Sequence, residues 1–123
     1  MTPEQKARKV IDKLFSNAGW QVLDRDHYAP NISAVALEEG LLNGNLEADY
    51  LLFLNGKAVG VLEAKKESVD VSADWVKAQA ENYVRKVPRT YQTIAKPLPL
   101  IYLSNGKTVL FKNGNIPESE YEE

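Results

Sequence analysis

Three charged residues, Asp49, Glu63 and Lys65, lie in a segment that otherwise has the composition of a buried β-hairpin, LEADYLLFLNGKAVGVLEAKK from Leu46 to Lys66. Two carboxylates held close together favour a hard divalent cation such as Mg²⁺ or Mn²⁺. A lysine beside them can orient an attacking water or stabilise the charge that builds on a phosphate in the transition state. The three residue types therefore suggest a site that hydrolyses a phosphodiester.

The register of this hairpin decides whether the three side chains meet. Glu63 and Lys65 are two apart in a strand and share a face. Asn55-Gly56 favours a two-residue turn, which in a regular hairpin would pair Asp49 with Leu62 and place Glu63 on the other face. The metal-site hypothesis therefore predicts a three-residue connection or a β-bulge. The alternative without chemistry is a hairpin that carries charges where its strands leave the core.

The N-terminal part of the chain predicts a helix followed by a short strand. Thr2-Pro3-Glu4-Gln5 combines an N-cap, a proline at the first helical position and a capping box. Apolar residues then follow helical spacing up to Gly19, which should end the helix: Ala7, Val10, Ile11, Leu14, Phe15 and Ala18. Trp20 to Leu23 suggests an extended segment. Residues 24–45 are polar and mixed, with at most a short helical turn from Ser33 to Leu41.

The remaining segments complete an α/β fold with a mixed β-sheet flanked by helices. A helix is predicted from about Ser72 to Lys86, ended by Pro88. Leu98–Leu103 and Thr108–Phe111 form a second predicted strand pair. Residues 1–115 are expected to be one domain. Residues 116–123 are expected to be an acidic, frayed tail or the start of a linker.

Composition sets limits on the class of protein. The 123 residues are 44% hydrophobic and 26% charged, as is usual for a single globular domain. No run of about 18 apolar residues and no signal-peptide pattern is present, so neither a membrane span nor a leader is expected. The absence of cysteine excludes disulfides and thiolate metal sites, and it fits a cytoplasmic protein.

Charge is unevenly distributed along the chain. The net charge is -2, but residues 77–96 carry a local excess of +4 and the last six residues carry -4. Contacts to a DNA backbone are therefore expected from the basic residues of this region and its neighbour: Lys66, Lys77, Arg85, Lys86, Arg89 and Lys96. The alternative is that these side chains are simply solvated. The small excess predicts weak DNA binding.

Read with its surroundings, the hairpin resembles the PD-(D/E)xK nuclease core. Gln79-Ala80-Glu81-Asn82-Tyr83 resembles the Q-x-x-x-Y motif that follows this core in the R subunits of type I restriction enzymes. The segments NAGW (Asn17–Trp20) and YLSNGKTVLF (Tyr102–Phe111) are also similar to the N-terminal nuclease domain of that family. The resemblance extends over about residues 3–112, and Ala48 stands where the motif has its proline.

The resemblance implies a restriction-endonuclease-like fold and a set of site residues. Asp49, Glu63 and the Ala64 backbone carbonyl would bind Mg²⁺, for which Mn²⁺ could substitute, and Lys65 would be the catalytic lysine. In this core an acid from the first helix sometimes joins the site, which would be Glu4 here. Its alternative role is that of a favourable charge in the first turn of a helix.

Gln79 and Tyr83 are the further site residues that the resemblance implies. They are four apart and share a helix face. A glutamine amide can bind a phosphate or a metal-bound water, and a tyrosine hydroxyl can contact the DNA backbone or a carboxylate. The alternative is that this face, together with Trp75, packs the helix against the sheet; for Trp75 and much of the Tyr83 ring we expect such packing.

The function implied is that of a Mg²⁺-dependent endonuclease domain of a type I restriction R subunit. It would cleave double-stranded DNA without base specificity of its own, with modification and specificity subunits as partners through the full-length protein. No G-x-x-x-x-G-K-[ST] loop is present, so ATP would serve only motor domains outside this segment. The alternatives are another nuclease with this core, acting in repair or junction resolution, or a nuclease-like docking domain with an idle site.

Overall fold

A six-stranded mixed sheet with a helix on each face forms the protein, and the computed structural model describes all 123 residues. The elements are α1 (Pro3–Asn17), β1 (Gln21–Asp24), a 3₁₀ turn (Arg25–His27), β2 (Ala34–Leu41), β3 (Glu47–Leu54), β4 (Lys57–Ala64), α2 (Asp74–Tyr83), β5 (Leu100–Ser104) and β6 (Val109–Asn113). Strands neighbour one another in chain order; β1–β2 and β4–β5 are parallel and the other pairs antiparallel. The predicted α/β class and mixed sheet are confirmed.

Helix α1 begins as its sequence predicts. The Thr2 hydroxyl accepts a hydrogen bond from the Gln5 amide at 3.1 Å, and the Gln5 side chain accepts one from the Thr2 amide at 2.9 Å. Ile11 and Phe15 are buried against one face of the sheet. Since each buried methylene stabilises the fold by about 0.8 kcal/mol, this apolar stripe, more than the cap, fixes α1 on the sheet.

Helix α2 covers the opposite face of the sheet. Val76 and Ala80 are fully buried there, in one cluster with Leu51 of β3 and Val61 of β4. The helix is shorter at both ends than predicted, since it runs from Asp74 to Tyr83. Residues two apart in a strand share a face, so Asp49 and Glu63 lie on the side of the sheet that α2 covers.

The segment 24–45 differs from its prediction. The helical turn expected from Ser33 to Leu41 is wrong, because Ala34–Leu41 is strand β2. Val35, Ala36 and Leu37 are all fully buried, since helices or loops cover both faces of this strand. A strand buried on both sides shows a continuous apolar run in place of alternation, so neither periodicity is visible in such a short segment.

The acidic tail also departs from its prediction. The backbone of Glu122 exchanges two hydrogen bonds with that of Phe111, at 2.8 and 2.9 Å. The Tyr121 ring packs on the core. The ammonium groups of Lys77 and Lys112 lie 5.2 and 5.4 Å from the centre of this ring. The tail is therefore paired to β6 at Glu122 and packed on the core at Tyr121, where fraying was expected.

Neither helix of the protein has the length and apolar character that a membrane crossing needs.

Candidate active site

The central hairpin contains both a two-residue turn and a bulge. Leu54 pairs with Lys57 across Asn55-Gly56, whose φ angles of 50° and 79° suit a turn with two left-handed residues. The register then shifts between Leu52 and Phe53, so that Tyr50 pairs with Leu62. One further step along the strands places Asp49 opposite Glu63. The predicted bulge is confirmed, and the predicted conflict with the Asn-Gly turn disappears because the bulge follows the turn.

The Asp49 side chain is fixed against strand β4. One of its carboxylate oxygens, Oδ2, accepts a hydrogen bond from the Ala64 backbone amide at 2.7 Å. The Glu63 carboxylate in turn accepts a longer one, 3.4 Å, from the Asp49 backbone amide. These reciprocal bonds cross the hairpin at the pair that the bulge creates, so the two carboxyl groups lie side by side.

Glu63 has the most unusual environment of any acid in the chain. Its side chain is only 1% exposed. Burial, and next the negative charge of Asp49, raise the pKa of Glu63 to about 9, against the opposing effect of Lys65. Without a cation Glu63 therefore keeps its proton at neutral pH.

The donor set fits a divalent cation of the magnesium type. Asp49, Glu63 and the Ala64 carbonyl supply hard oxygen ligands, and a cation beside them would favour the charged form that burial disfavours in Glu63. No three histidine, cysteine or acidic side chains of the chain are placed to hold a metal ion together. The protein side of such a site would therefore be two carboxylates and a carbonyl, with water completing the shell.

Lys65 connects the carboxylates to α2. Its ammonium donates a hydrogen bond to the Gln79 side-chain carbonyl at 2.6 Å, and the Gln79 amide donates one to the Tyr83 hydroxyl at 3.1 Å. The same ammonium lies 5.1 Å from the centre of the Trp75 ring. The structure thus brings together Asp49, Glu63, Lys65, Gln79 and Tyr83, which are 34 positions apart at the extremes.

Trp75 does not pack the helix on the sheet, so that prediction is wrong. Its side chain is 58% exposed, because it lies in the first turn of α2 on the side that faces Lys65 and solvent. The Tyr83 ring does pack against the core, as expected. Val76 and Ala80, one residue further along the chain from Trp75 and Gln79, carry the packing of α2 instead.

Glu4 does not join the two carboxylates. It is exposed in the first turn of α1, where its charge is favourable next to the helix N-terminus. The role of a third acidic ligand is therefore not supported. The first helix contributes a positively charged residue instead, one turn further on: an Arg8 guanidinium nitrogen lies 3.5 Å from Asp49 Oδ1.

Sequence reasoning missed Arg8 and its other partners. Arg8 also pairs with Glu39 at 2.9 Å and donates to the Tyr50 hydroxyl at 3.3 Å, and Tyr50 donates to Asp12. Glu39 lies in the segment whose strand was not predicted. Arg8 stands four residues after Glu4, but helical spacing alone does not show which strand it reaches.

The predicted DNA-contacting residues are mostly free at the surface. Lys66, Arg85, Lys86 and Arg89 are exposed, whereas Lys77 is half-buried over the Tyr121 ring. Arg85, Arg89 and Lys96 border one shallow cavity beyond the end of α2. None of these residues forms an ion pair with an acid of the chain, so the charges around this cavity are available to an anionic partner.

Comparisons with known proteins give two partial similarities. The chain is similar to the crystal structure of the type IIG restriction endonuclease BpuSI, with a TM-score of 0.54 and 16% identity over 94% of this chain and 11% of that chain. This likeness shows the fold. The chain is also 30% identical over 99 residues to penicillin-binding protein 1A of two Clostridium botulinum strains, Langeland and Hall. That match covers 72% of this chain but 12% of the relative, and it carries no assignment of activity.

A protein-family model matches residues 30–114, which is more than half of the chain. The matched range contains both carboxylates, Lys65, Gln79 and Tyr83, and it leaves out α1. Together with the likeness to a restriction endonuclease, it marks the chain as a restriction-enzyme nuclease-like domain. The chain belongs to the family described as the second domain of the type I restriction enzyme EcoKI endonuclease subunit.

Proposed function

We propose that this chain is the Mg²⁺-dependent endonuclease domain of a type I restriction R subunit, and that it hydrolyses phosphodiester bonds of double-stranded DNA without base specificity of its own. The observation that carries the proposal is the bulged hairpin, which sets Asp49 opposite Glu63. A buried glutamate beside a second carboxylate is unfavourable in its charged form unless a cation lies next to it. The lysine that the chemistry needs, Lys65, is two residues after Glu63, directly beyond the end of β4.

Each residue has a role in this proposal. Asp49, Glu63 and the Ala64 carbonyl hold the cation, which when bound supplies an activated water and neutralises charge on the phosphate. Lys65 stabilises the charge that develops on the phosphate. Gln79 orients Lys65 through the 2.6 Å hydrogen bond, and Tyr83 fixes the amide of Gln79.

The proposed partners follow from the family and from the small share of the longer proteins that the chain spans. The chain spans 11% of the restriction endonuclease and 12% of the penicillin-binding proteins that it matches, so the activities of a whole restriction enzyme would require other parts. Modification and specificity subunits would act through a full-length protein, in the cytoplasm. ATP would be used by motor domains, and the isolated domain should nick DNA without ATP.

Plasmid nicking tests the proposal directly. With Mg²⁺ or Mn²⁺ the protein should convert supercoiled plasmid to open circles, while Asp49→Asn and Lys65→Ala should lower the rate by about 100-fold or more. Lys57→Ala is the matched control, because it removes an exposed lysine from the other end of the same strand. Circular dichroism checks that each variant is folded.

The outcome separates the proposal from its alternatives. If Asp49→Asn and Lys65→Ala nick as fast as the wild type, the assigned site is wrong. If the folded wild type neither binds nor uses a divalent cation, the idle docking domain is correct. A strong preference for a four-way junction over linear duplex would instead indicate a junction-resolving nuclease.

A further inference from the structure

Arg8 occupies a place that the proposed chemistry leaves unexplained. It belongs to α1, outside the family match, and its side chain is only 18% exposed. One guanidinium nitrogen, Nη1, lies 3.5 Å from Asp49 Oδ1. The other, Nη2, lies 2.9 Å from the Glu39 carboxylate and donates to the Asp49 backbone carbonyl at 3.3 Å. Arg8 therefore bridges two acids of adjacent strands.

The bridged acids are in register with the candidate site. Glu38 pairs with Tyr50 and Gly40 with Ala48, which places Glu39 opposite Asp49. Asp49 lies opposite Glu63 in turn, so three acids occupy one row across β2, β3 and β4. Glu39 has a φ of 54°, a left-handed conformation that costs a non-glycine residue energy. Such a residue persists where its surroundings fix it: Arg8 holds the Glu39 carboxylate, and Arg25 donates to the Glu39 backbone carbonyl.

The two oxygens of Asp49 have separate partners. Oδ2 accepts from the Ala64 amide at 2.7 Å, and Oδ1 faces Arg8. A guanidinium is always charged at physiological pH. Arg8 is thus the cation nearest to Asp49, and a divalent cation bound by Asp49 would stand within a few ångströms of the same positive charge.

We propose that Arg8 is the counter-cation of Asp49 and a positioning residue of the metal site, so that a divalent cation binds in competition with Arg8 and with moderated affinity. This inference rests on the proposed function. Glu39 controls the competition, because it holds Nη2 and draws the guanidinium away from Asp49. Arg8 itself touches neither the phosphate nor the attacking water.

Titration of the full chain with Mn²⁺ tests this inference, with binding measured by calorimetry and by the electron paramagnetic resonance of free Mn²⁺. Arg8→Ala should bind Mn²⁺ roughly tenfold more tightly, the size expected for one unit charge acting on a divalent ion through partly solvated protein. Arg8→Lys keeps the charge and should stay closer to the wild type. Glu39→Gln should bind Mn²⁺ more weakly, because Arg8 is then left to Asp49 alone.

Arg25→Ala is the matched control. Arg25 also bridges β2 and β3: its guanidinium donates to the Glu47 carboxylate at 2.8 Å and to the Glu39 backbone carbonyl at 3.3 Å. Unlike Arg8, it makes no contact with Asp49. Its removal deletes the same charge from the surface of the sheet. Mn²⁺ affinity should therefore change far less than in Arg8→Ala.

The results distinguish this inference from the proposed function. If Arg8→Ala binds Mn²⁺ as the wild type does or more weakly, Arg8 does not compete and the inference is overturned while the metal site stands. If no variant binds Mn²⁺, both fall. Should Arg8→Ala fail to fold, Glu39→Gln decides the matter: Mn²⁺ binding weaker than in the wild type and in Arg25→Ala supports the competition, and equal or tighter binding overturns it.

Discussion

Glu63 is the residue whose environment departs furthest from that of a solvated glutamate. Its pKa of about 9 results from burial and from the charge of Asp49. In an unfolded chain the pKa of a glutamate is about 4.3. Between these values the folded protein holds a proton that the unfolded chain has released, so folding is penalised increasingly as the pH rises.

The metal-free protein should therefore lose stability as pH rises from about 5 to 9, by up to about 1.4 kcal/mol per pH unit. The stability is fully present below the unfolded pKa and is lost on the way to the folded one. Glu63→Gln should flatten this dependence. Urea denaturation in a chelator, at about pH 5, 7 and 9, measures it.

Glu67→Gln serves as the control for this series, because Glu67 is an exposed acid just beyond the same strand. Its pH dependence should follow that of the wild type. If the wild type and Glu63→Gln lose stability in parallel, the proton is not held by Glu63. Added Mg²⁺ should reduce the slope of the wild type, since it favours the charged carboxylate.

At the scale of elements, strand β4 determines the site because it carries the bulge and Glu63 and leads directly into Lys65. Val59 is the extra residue that the shift in register leaves between Ala58 and Gly60. It is buried on the α1 face, which gives the bulge a place in the core. Asn55-Gly56 could be read from the sequence as a turn, whereas the bulge was predicted only because the chemistry required one.

Gly60 is the residue of β4 that permits the close approach of β5. A Cβ there would overlap the carbonyl of Leu100 and lie 2.7 Å from the Leu100 Cβ. Gly60→Ala should therefore lower the free energy of unfolding by about 2 kcal/mol or more, because neighbouring backbone must move. Urea denaturation monitored by circular dichroism measures the loss.

Gly114→Ala is the comparison for Gly60→Ala. An added Cβ at Gly114 meets its nearest atom, the Pro99 carbonyl oxygen, at 3.4 Å. That substitution should change stability by less than about 0.5 kcal/mol. Equal effects of the two substitutions would show that the β4–β5 contact is not tight.

At the scale of the whole molecule, the sheet separates two basic surfaces, only one of which lies on the side of the carboxylates. Helix α2 lies on the side of the carboxylates and leads into Arg85, Lys86 and Arg89. Helix α1 lies on the other side and exposes Lys6, Lys9 and Lys13. Because DNA must reach the carboxylates, the basic residues near α2 are the ones expected to contact its backbone.

Replacing Arg85, Lys86 and Arg89 together by glutamine should weaken duplex binding by a similar factor for all sequences and reduce its salt dependence. Replacing Lys6, Lys9 and Lys13 removes the same charge from the α1 side and should have a smaller effect. Fluorescence anisotropy with Ca²⁺ in place of Mg²⁺, at several salt concentrations, measures both. Nanomolar binding by the isolated wild type in physiological salt would contradict the expectation of weak affinity.

Much of the candidate site could be predicted from the sequence, because its residues belong to local patterns. Glu63 and Lys65 are two residues apart at the end of an apolar run, which predicts that they share a face, and Gln79 and Tyr83 share one helix face. The exposure of Trp75 was not predictable in the same way, since the helical pattern shows which residues share a face but not where the sheet ends beneath it. Arg8 and Glu39 were missed because their contact joins segments 31 residues apart in the chain.

The sequence alone determined the features that neighbouring residues control: the capped start of α1, the Asn-Gly turn, the two hairpins and the acids and lysine of the central one. Tertiary structure decided the bulge at Val59, the strand at residues 34–41, the pairing of Glu122 with Phe111 and the Arg8 bridge. Caps and turns depend on hydrogen bonds within a few residues, which the local sequence specifies. Register and bridging contacts depend instead on how strands and helices pack across the sheet, and only the folded chain fixes them.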